Sequence, residues 1–277
     1  MSGNEQQIEY WNGQVGERWV AFQTRLDAAL AEIASAAYAF ADVKAGERVL
    51  DIGCGCGTTT LEFAKAVAPD GAVTAIDISH PMLEVARARA AEAGAKIAFV
   101  EADAGAHGFK PDFDLMFSRF GVMFFADPVA AFANIRTALR PGGRLRFVCW
   151  RAAKENLWAV VPFAAAKDLL PPQEEVAPHA PGPFAFADGE RLKKILAEAG
   201  FSNPRLEKLE AHMNMGGDLD AAVDQAFKIG PLARALADAD DALKDEARAR
   251  VREVLAKFQT PRGIALPAAC WLVGAEA

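Results

Sequence analysis

With 277 residues, 52% hydrophobic and 24% charged, the chain has enough apolar material for a substantial core, which argues against long-range disorder. A net charge of −7 speaks against a nucleic-acid partner, which would call for a clustered basic face; Arg248, Arg250 and Arg252 alternate with alanine and valine as a solvated helix face. The polar opening residues carry no signal core and no apolar run reaches the length of a membrane span, so a cytoplasmic protein with no membrane partner is expected.

Residues 1–42 are expected to form a helical cap. Tyr10-Trp11 and Trp19 precede an alanine-rich helix over about Val20 to Ala41, with Phe22, Leu26, Leu30 and Ile33 at helical spacing. Such a segment, outside any sheet, can fold over the edge of one and shut water out of a cleft. Packing of the two tryptophans against the sheet is the alternative.

Arg48 to Thr60 is the most informative stretch. Val49, Leu50 and Ile52 form a short apolar strand that runs into Gly53-Cys54-Gly55-Cys56-Gly57, and a helix follows from about Thr58 to Ala68. Glycines at a strand end permit a tight turn and close approach to a ligand, and the next helix N-terminus presents free N–H groups. Val73 to Ile78 is the second strand, and Asp77 at its carboxyl end stands where nucleotide-binding folds place an acceptor for ribose hydroxyls. Thr58 occupies the position of the third glycine in a dinucleotide fingerprint, and no Gly-Lys-Ser/Thr phosphate loop is present. Four cysteines (54, 56, 149 and 270) form no disulfide framework. Cys54 and Cys56 lack the further ligands a metal would need, so they read as small residues in a tight turn and no metal is expected.

An acid two residues before Gly-x-Gly-x-Gly, followed by a second acid at the next strand end, resembles the class I S-adenosylmethionine-dependent methyltransferases. The later segments strengthen that resemblance. Ser79-His80-Pro81-Met82-Leu83 opens a helix to about Ala93, with Ser79 as its N-cap. Strand three, Lys96 to Val100, precedes Asp103-Ala104. Strand four, Phe113 to Phe117, runs into Ser118-Arg119-Phe120-Gly121 and a phenylalanine-rich turn. Asp127-Pro128 starts the next helix, and Arg140-Pro141-Gly142-Gly143 feeds strand five, ending at Trp150.

The pattern predicts a doubly wound, mostly parallel, seven-stranded sheet of the Rossmann-like methyltransferase type. Residues 43–150 form its cofactor-binding core. Residues 151–187, rich in proline around a short helix at about Leu157 to Leu170, are expected to be a lid or substrate wall that cannot be one continuous core helix. Residues 188–277 complete the sheet, with a hairpin of strands six and seven and a helical insertion at about 218–260: helices over 218–229 and about 231–258, broken at Gly230-Pro231.

The resemblance implies S-adenosylmethionine as cofactor, a small-molecule methyl acceptor, and a site lined by Trp11, Asp51, Gly53, Cys54, Gly55, Asp77, Ile78, Met82, Asp103, Ala104 and Ser118. In it Asp77 takes the ribose and Asp103 with Met82 the adenine. The loop backbone takes the amino-acid end, while Asp51 orders the loop and the ammonium. Trp11 is the candidate lid, since a sulfonium gains about 0.5–2 kcal/mol against an aromatic face. Arg119, Phe120 and Trp150 are candidate pocket residues, with Arg119 meeting either an acidic substrate group or a neighbouring carboxylate. His80, His107 and His179 read as loop histidines, His107 being the nearest to a general base by position. A nicotinamide-dependent oxidoreductase and a non-catalytic adenosyl-binding module on the same fold are the alternatives.

Overall fold

The computed structural model describes residues 4–170 and 177–277; the opening Met1–Gly3 and the Pro171-Pro172 part of the proline-rich stretch lie outside the described residues. Strands β1 (Arg48–Ile52), β2 (Ala72–Asp77), β3 (Ile97–Glu101), β4 (Phe113–Arg119) and β5 (Leu139–Trp150) run parallel in the order β3-β2-β1-β4-β5. Helices α5 (Thr58–Val67), α6 (His80–Glu92) and α7 (Pro128–Arg136) make the crossovers. Val49, Leu50, Ile76, Leu115 and Met116 are fully buried, because helices cover both faces of a parallel sheet. The chain winds from β1 to β2 on one side and later returns to place β4 on the other. The carboxyl ends of β1 and β4 therefore flank a crevice.

β8 (Gly263–Glu276) enters antiparallel between β5 and β6 (Ser202–Gly216), as the expected hairpin partner of strand six. The expected seven strands form the path of the sheet, and a two-residue eighth, β7 (Gln259–Thr260), pairs off it with the start of β8. The Pro-Gly-Gly turn sits inside β5 as a four-residue excursion: Phe113 pairs with Leu139, but Leu115 already pairs with Arg144.

Three expected elements differ. The single helix over Val20–Ala41 is two helices, α3 (Gln23–Ala29) and α4 (Ala31–Ala41), preceded by α1 (Glu5–Asn12) and α2 (Gln14–Ala21). The chain bends at Phe22 (φ −107°, ψ 12°) and Leu30 (φ −98°, ψ 6°), where tertiary packing overrides an unbroken apolar periodicity. The expected 231–258 helix is α11 (Pro231–Ala235) and α12 (Asp241–Ala256), since Asp240 caps a new start by accepting from the Leu243 amide at 2.8 Å; α10 (Leu219–Ala226) precedes them. The short helix α8 (Leu157–Ala166) keeps Pro162 inside it and buries Trp158, Ala159, Pro162 and Ala166. It packs on α12, α11 and β8, so this part of the expected lid is a wall of the core. Helix α9 (Gly189–Glu198) lies against β6 and α7.

Candidate functional site

The glycine loop makes a turn that side chains could not. Gly53, Gly55 and Gly57 all have positive φ (66°, 54° and 80°), a region L-residues enter reluctantly. A Cβ on Gly53 would lie 2.8 Å from the Cα of Gly121, so the loops after β1 and β4 touch backbone to backbone. Phe120 beside that contact is held at φ 67°, an unusual conformation for a bulky residue and one that clusters at functional sites. Its ring stacks on Trp150 (centroids 4.3 Å apart, 13° between planes), and Trp150 leans on Trp158 at 4.9 Å.

The acids lie as expected at adjacent strand ends, each with a distinct set of partners. Asp51 is buried at the end of β1 and accepts from the Thr60 hydroxyl at 2.6 Å, tying the strand to the first turn of α5. Burial pushes its carboxyl up to about 7. Asp77 accepts from the Gly55 amide through Oδ2 and the Ser79 amide through Oδ1, both at 2.8 Å; burial raises its pKa against those backbone bonds. The second strand end thus clamps the glycine loop directly. Asp103, half-buried, accepts from the Gly105 amide at 2.8 Å and from the side-chain amide of Asn4. Ala104 is buried beside it, its carbonyl held by Asn134 at 2.9 Å.

Met82 is buried with its sulfur 3.9 Å from where a Cβ of Gly55 would be, so it packs over the loop. Burial drives the Cys54 thiol well above its ordinary value and the Cys56 thiol up to about 12, which leaves both protonated and inert in the turn. Ser118 is fully buried, its hydroxyl accepting from the Gly121 amide at 3.2 Å.

The N-terminal helices cover this edge. Asn12 donates to the Ile78 carbonyl and accepts from the His80 amide, both at 2.8 Å. Ser79, expected as an N-cap, makes no side-chain cap; its hydroxyl is turned instead toward α1, where it donates to the Trp11 carbonyl at 2.8 Å. The Trp11 ring meets Trp19 at 5.8 Å and Phe124, in the turn after β4, at 5.1 Å. His80 is exposed and paired with Glu101 at 2.8 Å, His179 is an exposed turn residue at φ 65°, and His107 packs edge-on against Phe109.

A cluster absent from the sequence reading lies where α3 meets the loop. Asp27 accepts from the Thr58 hydroxyl (2.8 Å) and Gln23 (2.7 Å) through Oδ2, with Arg89 at 3.5 Å. Arg119, at the end of β4, approaches Asp27 Oδ1 to 3.8 Å, which makes it a partner of a neighbouring carboxylate. That distance is too long for a hydrogen bond, and both Asp27 Oδ1 and Arg119 Nη1 are buried with no hydrogen-bond partner. Only the fold reveals this pair, since Asp27 in the sequence is one acid among others on an amphipathic helix.

A methyltransferase-domain family model matches residues 49–143. The ubiquinone/menaquinone biosynthesis C-methyltransferase UbiE of Pseudomonas aeruginosa (strain LESB58) is 31% identical over 187 residues, covering 63% of this chain and 71% of that protein. The chain belongs to the class I S-adenosylmethionine-dependent methyltransferases. A demethylmenaquinone methyltransferase of Staphylococcus aureus (strain JH9) is likewise 31% identical, over 63% of this chain and 77% of its own. Among solved structures, the YcgJ protein from Bacillus subtilis superposes with a TM-score of 0.57 at 18% identity, covering 88% of this chain and 97% of that one. Haemonchus contortus phosphoethanolamine N-methyltransferase 2, in complex with S-adenosyl-L-methionine, gives 0.53 at 20% identity over 88% of this chain and 52% of its own. Both structural likenesses establish the fold.

This methyltransferase uses S-adenosyl-L-methionine and transfers methyl to a small-molecule acceptor. Its own residues suit that cofactor. Where Asp27 holds Thr58 of the loop, one buried Arg119 nitrogen and one buried Asp27 oxygen lack hydrogen-bond partners, and groups of these two charges suit the two ends of an amino-acid zwitterion. The nicotinamide alternative loses its footing, since Thr58 in place of the third glycine uses its hydroxyl to hold Asp27.

Proposed function

We propose that the carboxyl edge of β1, β2, β3 and β4 holds the cofactor along the crevice, adenine toward β3 and methionine toward β4. Asp77 keeps lone pairs free after accepting two backbone amides, so it accepts from the ribose hydroxyls while fixing Gly55. Asp103 takes the adenine amino group in the place Asn4 now occupies, with Ile78, Met82 and Ala104 against the ring. The amino-acid end lies over Gly53, Cys54 and Gly55, its carboxylate toward Arg119 and its ammonium toward Asp27 and Asp51. The Arg119–Asp27 pair carries this reading, because at 3.8 Å it is too long for a hydrogen bond and leaves Arg119 Nη1 and Asp27 Oδ1 buried with open hydrogen-bonding capacity that a bound ligand can fill.

A bound sulfonium supplies an already activated methyl group. The protein's task is therefore to align the acceptor, and positioning of that kind is worth on the order of 7–11 kcal/mol. Ser118, Phe120 and Trp150 form the wall beside the methyl, and Trp11 closes the opening from above and excludes water. The acceptor is a free small molecule rather than nucleic acid, as a net charge of −7 supports, and four buried, unpaired cysteines fit a reducing cytoplasm.

Calorimetry with S-adenosylmethionine, S-adenosylhomocysteine and NADH tests the cofactor assignment: the adenosyl compounds bind and NADH does not. In Asp77→Ala the adenosyl affinity falls; equal affinity in a folded variant ends the assigned role. A screen of diverse acceptors followed by S-adenosylhomocysteine release then identifies the substrate.

A further inference from the structure

Thr58 opens α5 directly after the glycine turn, and side chains from α3, α4 and α6 converge on it. We infer that Thr58 is a positioning residue for the cofactor: its hydroxyl holds the Asp27 carboxylate by one oxygen and keeps the other open to the ammonium of the cofactor's amino-acid end. The inference rests on the methyl-transfer reading and adds to it a residue that works through Asp27.

The hydroxyl is saturated. It donates to Asp27 Oδ2 at 2.8 Å and accepts from Gln23 Nε2 at 3.0 Å and Arg89 Nη1 at 2.9 Å, which uses its one proton and both lone pairs. The Thr58 carbonyl accepts from the Tyr38 hydroxyl at 3.2 Å. Gln23 and Asp27 lie one turn apart on α3, Tyr38 is on α4 and Arg89 on α6. Arg89 Nη1 also donates to the Cys56 carbonyl at 2.7 Å, so α6 ties the glycine turn and the threonine together. Gly57 between them presses on the same helix, where a Cβ would stand 3.0 Å from that of Ala86. None of these bonds caps α5, whose N-cap is Gly57 itself. The hydroxyl is spent on neighbouring elements.

The consequence falls on Asp27. Its Oδ2 accepts from Thr58 and from Gln23 at 2.7 Å, with Arg89 Nη2 at 3.5 Å. Its Oδ1 has no hydrogen-bond partner and stands 3.8 Å from Arg119 Nη2. A carboxylate free to turn would close that gap and satisfy the arginine itself. Held from one side by two donors and a cation, it stops short of Arg119, and both groups keep capacity for a ligand. The alignment is in place before the cofactor arrives, and an ordered site binds more tightly because less freedom is lost on binding. A glycine at position 58, as in the dinucleotide fingerprint, would offer Asp27 no anchor.

The test is calorimetry of S-adenosylhomocysteine into the full chain and its variants. Thr58→Val, which keeps the shape without the hydroxyl, is expected to lose about tenfold in affinity. Thr58→Ser, which restores the hydroxyl, is expected to stay within about twofold of the wild type. Asp27→Ala is expected to lose at least as much as Thr58→Val, and adding Thr58→Val to it to cost nothing further. A threonine that merely braced α5 would weaken binding by the same factor with or without Asp27. Wild-type affinity in Thr58→Val, a serine variant as weak as the valine one, or a valine effect undiminished on the Asp27→Ala background overturns the inference. Thr58→Ala, a better helix former, decides the same comparison if the valine variant does not fold. Absence of binding to the wild type removes the methyl-transfer reading itself. Wild-type affinity in Asp27→Ala withdraws that carboxylate from the cofactor contacts and this inference with it, whereas a loss there with none in Thr58→Val removes this inference alone.

Discussion

Two aspartates, each drawing more than one cation around it, invite a comparison between the carboxyl edge of the sheet and the helical insertion. Asp27 at the carboxyl edge gathers Arg89 and Arg119, yet one of its oxygens and one Arg119 nitrogen have no hydrogen-bond partner in a buried setting. Asp224 on the insertion gathers Arg25 from α3, Lys228 from the turn after α10 and Arg248 from α12; its side chain is 39% exposed, against 23% for Asp27. Water screens the second knot, so its ion pairs contribute little, although Arg25 Nη1, 3.8 Å from Asp224, is likewise a buried nitrogen with no hydrogen-bond partner. The first lies in a poorer dielectric, where an open valence is expensive to leave and valuable to a ligand that fills it. Similar residues thus differ in their surroundings, the Asp27 carboxylate being the more enclosed of the two.

The largest test of that contrast strikes the loop itself. Gly53→Val places carbon 2.8 Å from the Gly121 backbone at a positive φ, so cofactor affinity measured by calorimetry is expected to fall by more than about a hundredfold. Wild-type affinity in that variant would mean the two loops need not touch. Next, Arg119→Gln removes the cation facing Asp27, and a drop in affinity of about ten- to a hundredfold is expected, on the scale of one charged hydrogen bond of about 1.5–3 kcal/mol. If S-adenosylhomocysteine binds Arg119→Gln as it binds the wild type, the pair is structural after all.

A pH series sharpens the same point. The Asp51 carboxyl titrates at about 7 in the fold and in the ordinary acid range when unfolded, so between those values the native state holds the extra proton. Stability therefore declines as pH rises from about 4 to 7 and levels off above, by a few kcal/mol in all. Asp51→Asn should lessen that slope in denaturant titrations while preserving an acceptor for Thr60; Asp77, also raised by burial, keeps a slope of the same sign, and an unchanged slope assigns it to other groups. A smaller effect is expected of Trp11→Ala, in which cofactor affinity falls about fivefold if the ring closes the site, in keeping with an aromatic contact of about 1 kcal/mol. Smallest of all, Arg250→Gln breaks the exposed pairs to Asp168 and Glu246 and should leave both cofactor affinity and melting temperature where they were.

Much of the cofactor half was legible from residue order. Asp51, the glycines, Asp77 and Asp103 sit at successive strand ends because alternating strand and helix patterns force parallel strands with their carboxyl ends on one edge. Strand identity there follows from continuous apolar runs such as Val49-Leu50, which only a doubly covered sheet accommodates. The helical additions were less readable. Breaks at Phe22, Leu30 and 236–240 fall where no proline or glycine announces them, and α8 runs through a proline that the sequence offers as a stop.

Local sequence determined the fold and the backbone cradle, because turn geometry, strand burial and strand-end acids depend on neighbours a few residues away. Only tertiary structure decided that Asp27 would face Arg119 across 92 positions of chain and that Asn4 would cover Asp103. Charge pairing in space is blind to separation along the chain, so no periodicity records it. The solvent exposure that sets the strength of each pair likewise exists only once the helices have docked.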